Sequence, residues 1–271
     1  MVATLPLAAF AGLIPPGAVA ALAATGEPSP RVTVLTGGRQ VNLCLRLDGP
    51  GGARVLRLRR SPRDLPGADR AREIACQRAA AAAGLAPAVQ AADAAEGWAL
   101  MDFVPEAPWT AALLEDPARL DALCLRLRAL HAVPPPAGAP FEAQDLLAAQ
   151  AAAFARAGRA PPAEFAAAQR MAEALATLPR RPPVLCHGDL DVGNLLGPAP
   201  VLIDFEYAQI ADPVYDVACL IAYYPQLERR ALALLSAAGL GDAPSRARLP
   251  LQLGFSRLVN RVWAALQDET G

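Results

Sequence analysis

His187-Gly188-Asp189-Leu190-Asp191-Val192-Gly193-Asn194, followed by Ile203-Asp204-Phe205, is the stretch that decides how the rest of the chain is read. Asp189 and Asn194 have the D-x-x-x-x-N spacing of a phosphoryl-transfer loop, in which a carboxylate takes a hydroxyl proton and an amide holds a metal. Asp204 would be the second metal ligand. Pro183-Val184-Leu185-Cys186 and Val201-Leu202-Ile203 are short apolar runs that read as buried strands delivering these polar residues to a cleft. Mg²⁺ takes few protein oxygens and completes its shell with water and substrate phosphates, so one Asn and one Asp suffice. A polar hairpin with local Asx-turns would account for either half alone. Both halves in order, each behind an apolar strand, favour the metal site.

Cys186-His187-Gly188-Asp189 through Asn194, then Ile203-Asp204-Phe205-Glu206-Tyr207, then Asp212-Pro213-Val214-Tyr215-Asp216 resemble the aminoglycoside phosphotransferase and choline kinase superfamily. The Ile-Asp-Phe-Glu-Tyr form resembles its choline, ethanolamine and thiamine kinase branch. The likeness runs from about residue 31 to the C-terminus, and its specific motifs are the central ones. It implies an α+β, bilobal protein-kinase-like fold with ATP and Mg²⁺ as cofactors. Residues 1–104 would form a nucleotide-binding lobe with a five-stranded antiparallel sheet plus a helix, and 105–271 a mainly helical catalytic and substrate lobe. The resemblance makes Asp189 the catalytic base, Asn194 and Asp204 the metal ligands, and Asp216 a buried brace for the catalytic loop.

With 271 residues, 54% of them hydrophobic, the chain can bury a sizeable core. A formal net charge of −1 gives no reason to expect a nucleic-acid or membrane-surface partner, and a small-molecule substrate is the simpler expectation. The five cysteines show no C-x-x-C pair and are odd in number, which suits reduced, buried thiols and a cytoplasmic location. Pro15-Pro16 interrupts the apolar N-terminal segment, which has no Arg or Lys ahead of it and falls short of the roughly 18 apolar residues of a membrane span. Gly17 to Ala24 reads as a short helix, packed or frayed. All 25 basic residues are arginine, so any cationic side chain that meets a phosphate must be a guanidinium.

Taken in order, Arg31 to Leu35 and Val41 to Leu47 read as strands joined at Thr36-Gly37-Gly38, where glycines would let the backbone approach a nucleotide phosphate. An ordinary hairpin turn is the competing reading, and the resemblance, through Gly38 and Asn42, tips it towards nucleotide binding. The strand Arg54 to Arg59 puts Val55 and Arg57 on one face, at the spacing of an adenine-packing residue and a phosphate-binding cation. Arg in place of Lys departs from the protein-kinase pattern but is similar to choline-kinase-like members. Glu73, in a helix over 68–83, would pair with Arg57 and position it, with an i, i−3 pair to Arg70 on a wet face as the alternative. Met101, Asp102 and Phe103, just before a Pro105 to Pro108 linker, would offer backbone groups to an adenine edge. Asp116-Pro117 opens a helix to His131, read as structural. Phe141 to Gly158 and Pro161 to Leu178 form a further helical pair.

The aromatic residues Tyr207, Tyr223, Tyr224 and Trp263, all downstream of the metal motif, are candidates to wall an acceptor pocket, with Glu206 supplying negative charge. Core packing is the alternative for each. Val259 to Gln267 resembles the C-terminal helix of choline kinases, except that Asn260 stands where a further aromatic is usual. The leading expectation is a Mg-dependent kinase acting on a small, cationic alcohol. The alternatives are a thiamine kinase, an aminoglycoside phosphotransferase and a non-catalytic nucleotide-binding pseudokinase. Oligomeric state is left open.

Overall fold

The structure is a computed structural model, and it describes residues 4–10, 12–26, 30–35, 42–59 and 66–267. It divides into two compact units, one of Met1–Leu65 and Ala86–Glu106, the other of Pro66–Leu85 and Ala107–Gly271.

The first unit is an antiparallel sheet of β1 (Thr4–Pro6), β2 (Arg31–Val34), β3 (Asn42–Gly49), β4 (Gly52–Arg59), β5 (Val89–Asp93) and β6 (Trp98–Asp102), with helix α1 (Pro16–Ala24) packed on β5 and β6. The strand order is β1-β2-β3-β4-β6-β5. Alternation in β3 points Leu43, Leu45 and Leu47 inward, where they meet Val32, Leu56, Leu58, Trp98 and Leu100 and, from α1, Ala18 and Leu22. Each such Leu contributes roughly 1.5–3 kcal/mol relative to exposure. The sheet has six strands where the sequence led us to expect five. The extra strand comes from the apolar N-terminal segment, where Thr4, Leu5 and Pro6 pair with Thr33, Val32 and Arg31. Pro6 cannot donate to a ladder, which an edge strand tolerates. The Thr36-Gly37-Gly38 turn lies outside the described residues.

The second unit begins with α2 (Arg70–Ala82), followed by α3 (Pro117–His131), α4 (Ala143–Arg156) and α5 (Glu164–Thr177). The Asp69 carboxylate accepts the Arg72 N–H at 3.0 Å, and that of Asp116 the Ala118 N–H at 2.9 Å, so both helices start at side-chain caps. Gly84, at φ +69°, ends α2 in the left-handed region. Next come β7 (Val184–Cys186), β8 (Leu195–Leu196), β9 (Val201–Leu202), β10 (Gln209–Ala211), α6 (Val214–Tyr223), α7 (Ala231–Ala237) and α8 (Ala243–Gln267). β7 pairs antiparallel with β10, and β8 with β9. The α4–α5 pair is core: Leu147, Ala168, Ala172 and Leu175 pack with Tyr215, Cys219, Phe255 and Val259 of α6 and α8. Arg248 of α8 is buried, bonded to Asp212 and to the Leu175 and Leu178 carbonyls at 2.8 and 3.0 Å, which ties α5 and α8 to the start of α6.

Cys76, Cys124, Cys186 and Cys219 are buried free thiols, while Cys44 is half-buried. Among the described residues no helix is long and apolar enough to cross a membrane.

Candidate active site

The loop after β7 is fixed from below by one carboxylate. Asp216, fully buried in the first turn of α6, accepts the His187 N–H at 3.1 Å and the Gly188 N–H at 2.9 Å, and takes His131 Nε2 at 2.9 Å. Burial alone would raise its pKa. The His131 bond and the Gly188 N–H overcome that, holding the carboxyl below its ordinary range. His131 closes α3, so this contact joins α3, α6 and the loop. Gly188 has φ +76°, and a Cβ there would lie 2.4 Å from the Tyr207 carbonyl oxygen, so both conformation and space demand glycine.

His187 links the two halves of the motif. Its Nε2 meets the Ile203 carbonyl at 2.9 Å and its Nδ1 the Asp189 N–H at 3.3 Å. A carbonyl only accepts and an amide N–H only donates, so this network assigns the ring proton to Nε2. The ring also packs on Phe205, centroids 4.8 Å apart. Asp191 caps the short turn Val192–Asn194 by accepting the Gly193 N–H at 2.8 Å. The turn aims Asn194 back at Asp189: Asn194 Nδ2 donates to the Asp189 carbonyl at 3.1 Å and to Asp189 Oδ2 at 3.0 Å. Leu195 and Leu196 then pair with Leu202 and Val201, and the Ile203 N–H donates to the Asn194 carbonyl at 3.1 Å, which brings Asp204 alongside Asn194. Asp204 has φ +63°, the one positive φ outside glycine among the described residues. Backbone strain of this kind concentrates at functional sites.

Burial pushes the Asp189 carboxyl up. Tyr223 opposes that shift by donating its hydroxyl to Oδ1 at 2.6 Å, and the negative charges of Asp204 and Asp191 add to it. This donor set fits a divalent cation. Asn194 spends its amide nitrogen on Asp189, so its Oδ1 would be the atom to meet a cation, and mutually repelling carboxylates would be relieved by positive charge.

The aromatic candidates gather around the same loop. Tyr224 donates its hydroxyl to Asp191 Oδ2 at 2.9 Å and accepts the Val192 N–H at 3.0 Å. Burial, then the charge of Glu206, push the Tyr207 phenol well above its ordinary range, while the Trp263 indole facing it pulls the other way. Tyr207 Oη and Trp263 Nε1 are buried, and among the described residues neither has a well-formed hydrogen bond. Glu206 is half-buried in the turn between Asp204 and Tyr207.

The nucleotide candidates lie in the first unit. Val55 and Met101 are direct cross-strand partners in β4 and β6, Arg57 is 5% exposed, and Asn42 opens β3. The Phe103 N–H is committed to the Ala53 carbonyl at 3.2 Å, and its ring carries the Arg46 guanidinium at 4.2 Å. Gly37 and Gly38 are outside the described residues. Glu73 belongs to the second unit, where Arg70 Nη1 grips both its oxygens at 2.8 and 2.7 Å. That pair is buried rather than on a wet face, as Glu73 is only 4% exposed. The roles of His187 and Asp191, and the Tyr223 contact with Asp189, had no signature in residue spacing.

Residues 31–250 match the sequence model described as the phosphotransferase enzyme family. No curated protein matches the chain. Among solved structures, it is similar to a choline/ethanolamine kinase family protein from Mesorhizobium loti, with TM-score 0.70 and 24% identity over 87% of this chain and 79% of that one. It is also similar to the choline kinase LicA from Streptococcus pneumoniae, with TM-score 0.70 and 15% identity over 89% and 86%, a protein also solved in complex with AMP. A thermostable mutant of an aminoglycoside phosphotransferase aligns with TM-score 0.59 and 19% identity over 87% and 91%. These likenesses show the kinase-like fold: an antiparallel sheet in the N-terminal region and a helical C-terminal region. With most of its length matched and its motifs held in one constellation, the chain belongs to the phosphotransferase enzyme family.

Proposed function

We propose that the protein transfers the γ-phosphate of ATP, bound as its magnesium complex, to the hydroxyl of a small cationic alcohol, as a choline or ethanolamine kinase does. The observation that carries this reading is the Asp189 carboxylate bonded to Asn194 at 3.0 Å with Asp204 brought alongside by the Ile203–Asn194 hydrogen bond. Asp189 takes the proton of the acceptor O–H as its oxygen bonds to phosphorus and ADP departs. Asn194 and Asp204 hold the magnesium, which when bound neutralises charge on the phosphates. Asn42, Val55, Met101 and Phe103 are the candidates for the nucleotide, with Gly37 and Gly38, which lie outside the described residues, and the AMP complex of the pneumococcal relative supports nucleotide binding by this fold.

Arg57 supplies the guanidinium for the phosphates, and Glu73 is the candidate to act with it. Arg57→Ala is expected to raise the KM for ATP and to lower kcat, each about tenfold, the loss of a charge-assisted hydrogen bond. Glu73→Ala should show a milder form of the same defect. A double-mutant cycle measures the link: coupling of ~0.5–3 kcal/mol supports it, and additive losses remove Glu73 from this role.

For the acceptor, Tyr207 and Trp263, which face each other, offer aromatic surface, with Glu206 adding negative charge, which suits an organic cation. Steady-state kinetics on choline, ethanolamine, thiamine, a neutral sugar alcohol and kanamycin test this. The cationic small alcohols should have the highest kcat/KM, and preference for the neutral compound or for kanamycin would overturn the substrate class.

A further inference from the structure

Tyr223 is the last residue of α6, and its hydroxyl lies 2.6 Å from Asp189 Oδ1. The other oxygen, Oδ2, holds the Asn194 amide at 3.0 Å. Both oxygens of the carboxylate therefore already accept a hydrogen bond from the protein. A general base must come within roughly 2.6–3.2 Å of the hydroxyl whose proton it takes. A tyrosine hydroxyl stands at that distance, presenting O–H to the carboxylate as an alcohol would.

The two donors differ in how firmly they are held. Asn194 is locked by its turn, by its second bond to the Asp189 carbonyl at 3.1 Å, and by the Ile203 N–H on its own carbonyl. Tyr223 is 39% exposed, and among the described residues the bond to Asp189 is the one its hydroxyl makes. Its ring lies at a tilt to that of Tyr224, centroids 6.4 Å apart. Tyr224, by contrast, is half-buried and its hydroxyl makes two bonds, to Asp191 and from Val192. Tyr224 anchors the loop, whereas Tyr223 can swing towards solvent at the helix end without breaking any other polar contact.

We propose that the Tyr223 hydroxyl occupies the place of the acceptor alcohol on Asp189 and that a productive acceptor binds by displacing it. The proposal rests on the reading of Asp189 as the base of the transfer reaction. Tyr223 is then a specificity-determining residue. An acceptor takes the Tyr223 position on the base by replacing the phenol with its own hydroxyl, and water is disfavoured there because it brings no further binding contacts to offset the displacement. Hydrolysis of the nucleotide is restrained until an acceptor arrives.

Tyr223→Phe tests this by keeping the ring and removing only the oxygen. Without a hydroxyl to displace, the acceptor KM should fall about tenfold, the value of one hydrogen bond to a charged group, and by more than kcat changes. ATP hydrolysis without acceptor should rise severalfold. A loss of kcat at constant KM would show a residue that only positions the base, and unchanged KM with unchanged hydrolysis would remove Tyr223 from the site; either overturns the proposal. Wild-type transfer in the same assay reports separately on the functional reading. Should the wild type transfer phosphate to none of the alcohols, that reading fails and the Tyr223 proposal with it; transfer by the wild type together with equal acceptor KM and equal hydrolysis in Tyr223→Phe overturns the Tyr223 proposal alone.

Discussion

Asp189→Asn is expected to lower turnover by about 10²–10⁴-fold while nucleotide affinity stays close to that of the wild type. The substitution preserves the shape of a side chain held between Tyr223 at 2.6 Å and Asn194 at 3.0 Å, and removes its capacity to take a proton. It also changes the hydrogen-bond logic. A carboxylate accepts from both neighbours, whereas an amide can accept through its oxygen and must donate through its nitrogen. With the oxygen turned to Asn194, the nitrogen can donate to the Tyr223 hydroxyl, so the loop should remain folded. Single-turnover kinetics beside a direct nucleotide-binding measurement separate the two quantities. Turnover retained within a fewfold of wild type would mean that Asp189 is not the base.

Asp216→Ala should be the most damaging substitution to stability, by about 3–5 kcal/mol, as expected when one partner of a buried charged network is removed. The truncation would strand the His187 and Gly188 N–H groups and the His131 ring around an empty space. Its pH dependence has a definite sign. The folded-state pKa of Asp216 is held below the ordinary value, so on acidification the unfolded chain takes the proton first. The stabilisation from this carboxylate is complete above the unfolded value of about 4 and is lost as pH falls through the lower folded value. Urea unfolding of wild type and variant from neutral pH downward should show the gap between them narrowing only below about pH 4. A variant as stable as the wild type at neutral pH would mean that the loop is braced elsewhere.

The catalytic loop was legible in the sequence because its chemistry is local. Four residues separate Asp189 from Asn194, and one tight turn capped by Asp191 brings them into contact. Helix starts were legible for the same reason, since Asp116 and Pro117 act on their own first turn. What escaped the reading depends on contacts distant in the chain. The Tyr223 hydroxyl reaches Asp189 across 34 residues, and no periodicity specifies such a contact. β1 was hidden because Pro6 argues against a strand unless it is known to lie at an edge, which only the finished sheet decides. The Glu73–Arg70 spacing was plain, but its burial was not, because an alanine-rich helix has no sharp apolar stripe to show which side faces inward. The left-handed backbone at Asp204 likewise has no local sign, as no glycine marks it.

The most direct test of phosphoryl transfer by this site is to incubate the purified protein with γ-labelled ATP, Mg²⁺ and each small alcohol, and to quantify ADP and the labelled phosphate ester together. Asp189 as base, with Asn194 and Asp204 as metal ligands, predicts ester and ADP in equal amounts for a cationic alcohol, with formation abolished by chelating the magnesium and lost in Asp204→Ala. ADP released with no ester for any alcohol, or ester formed equally well without magnesium, would contradict it.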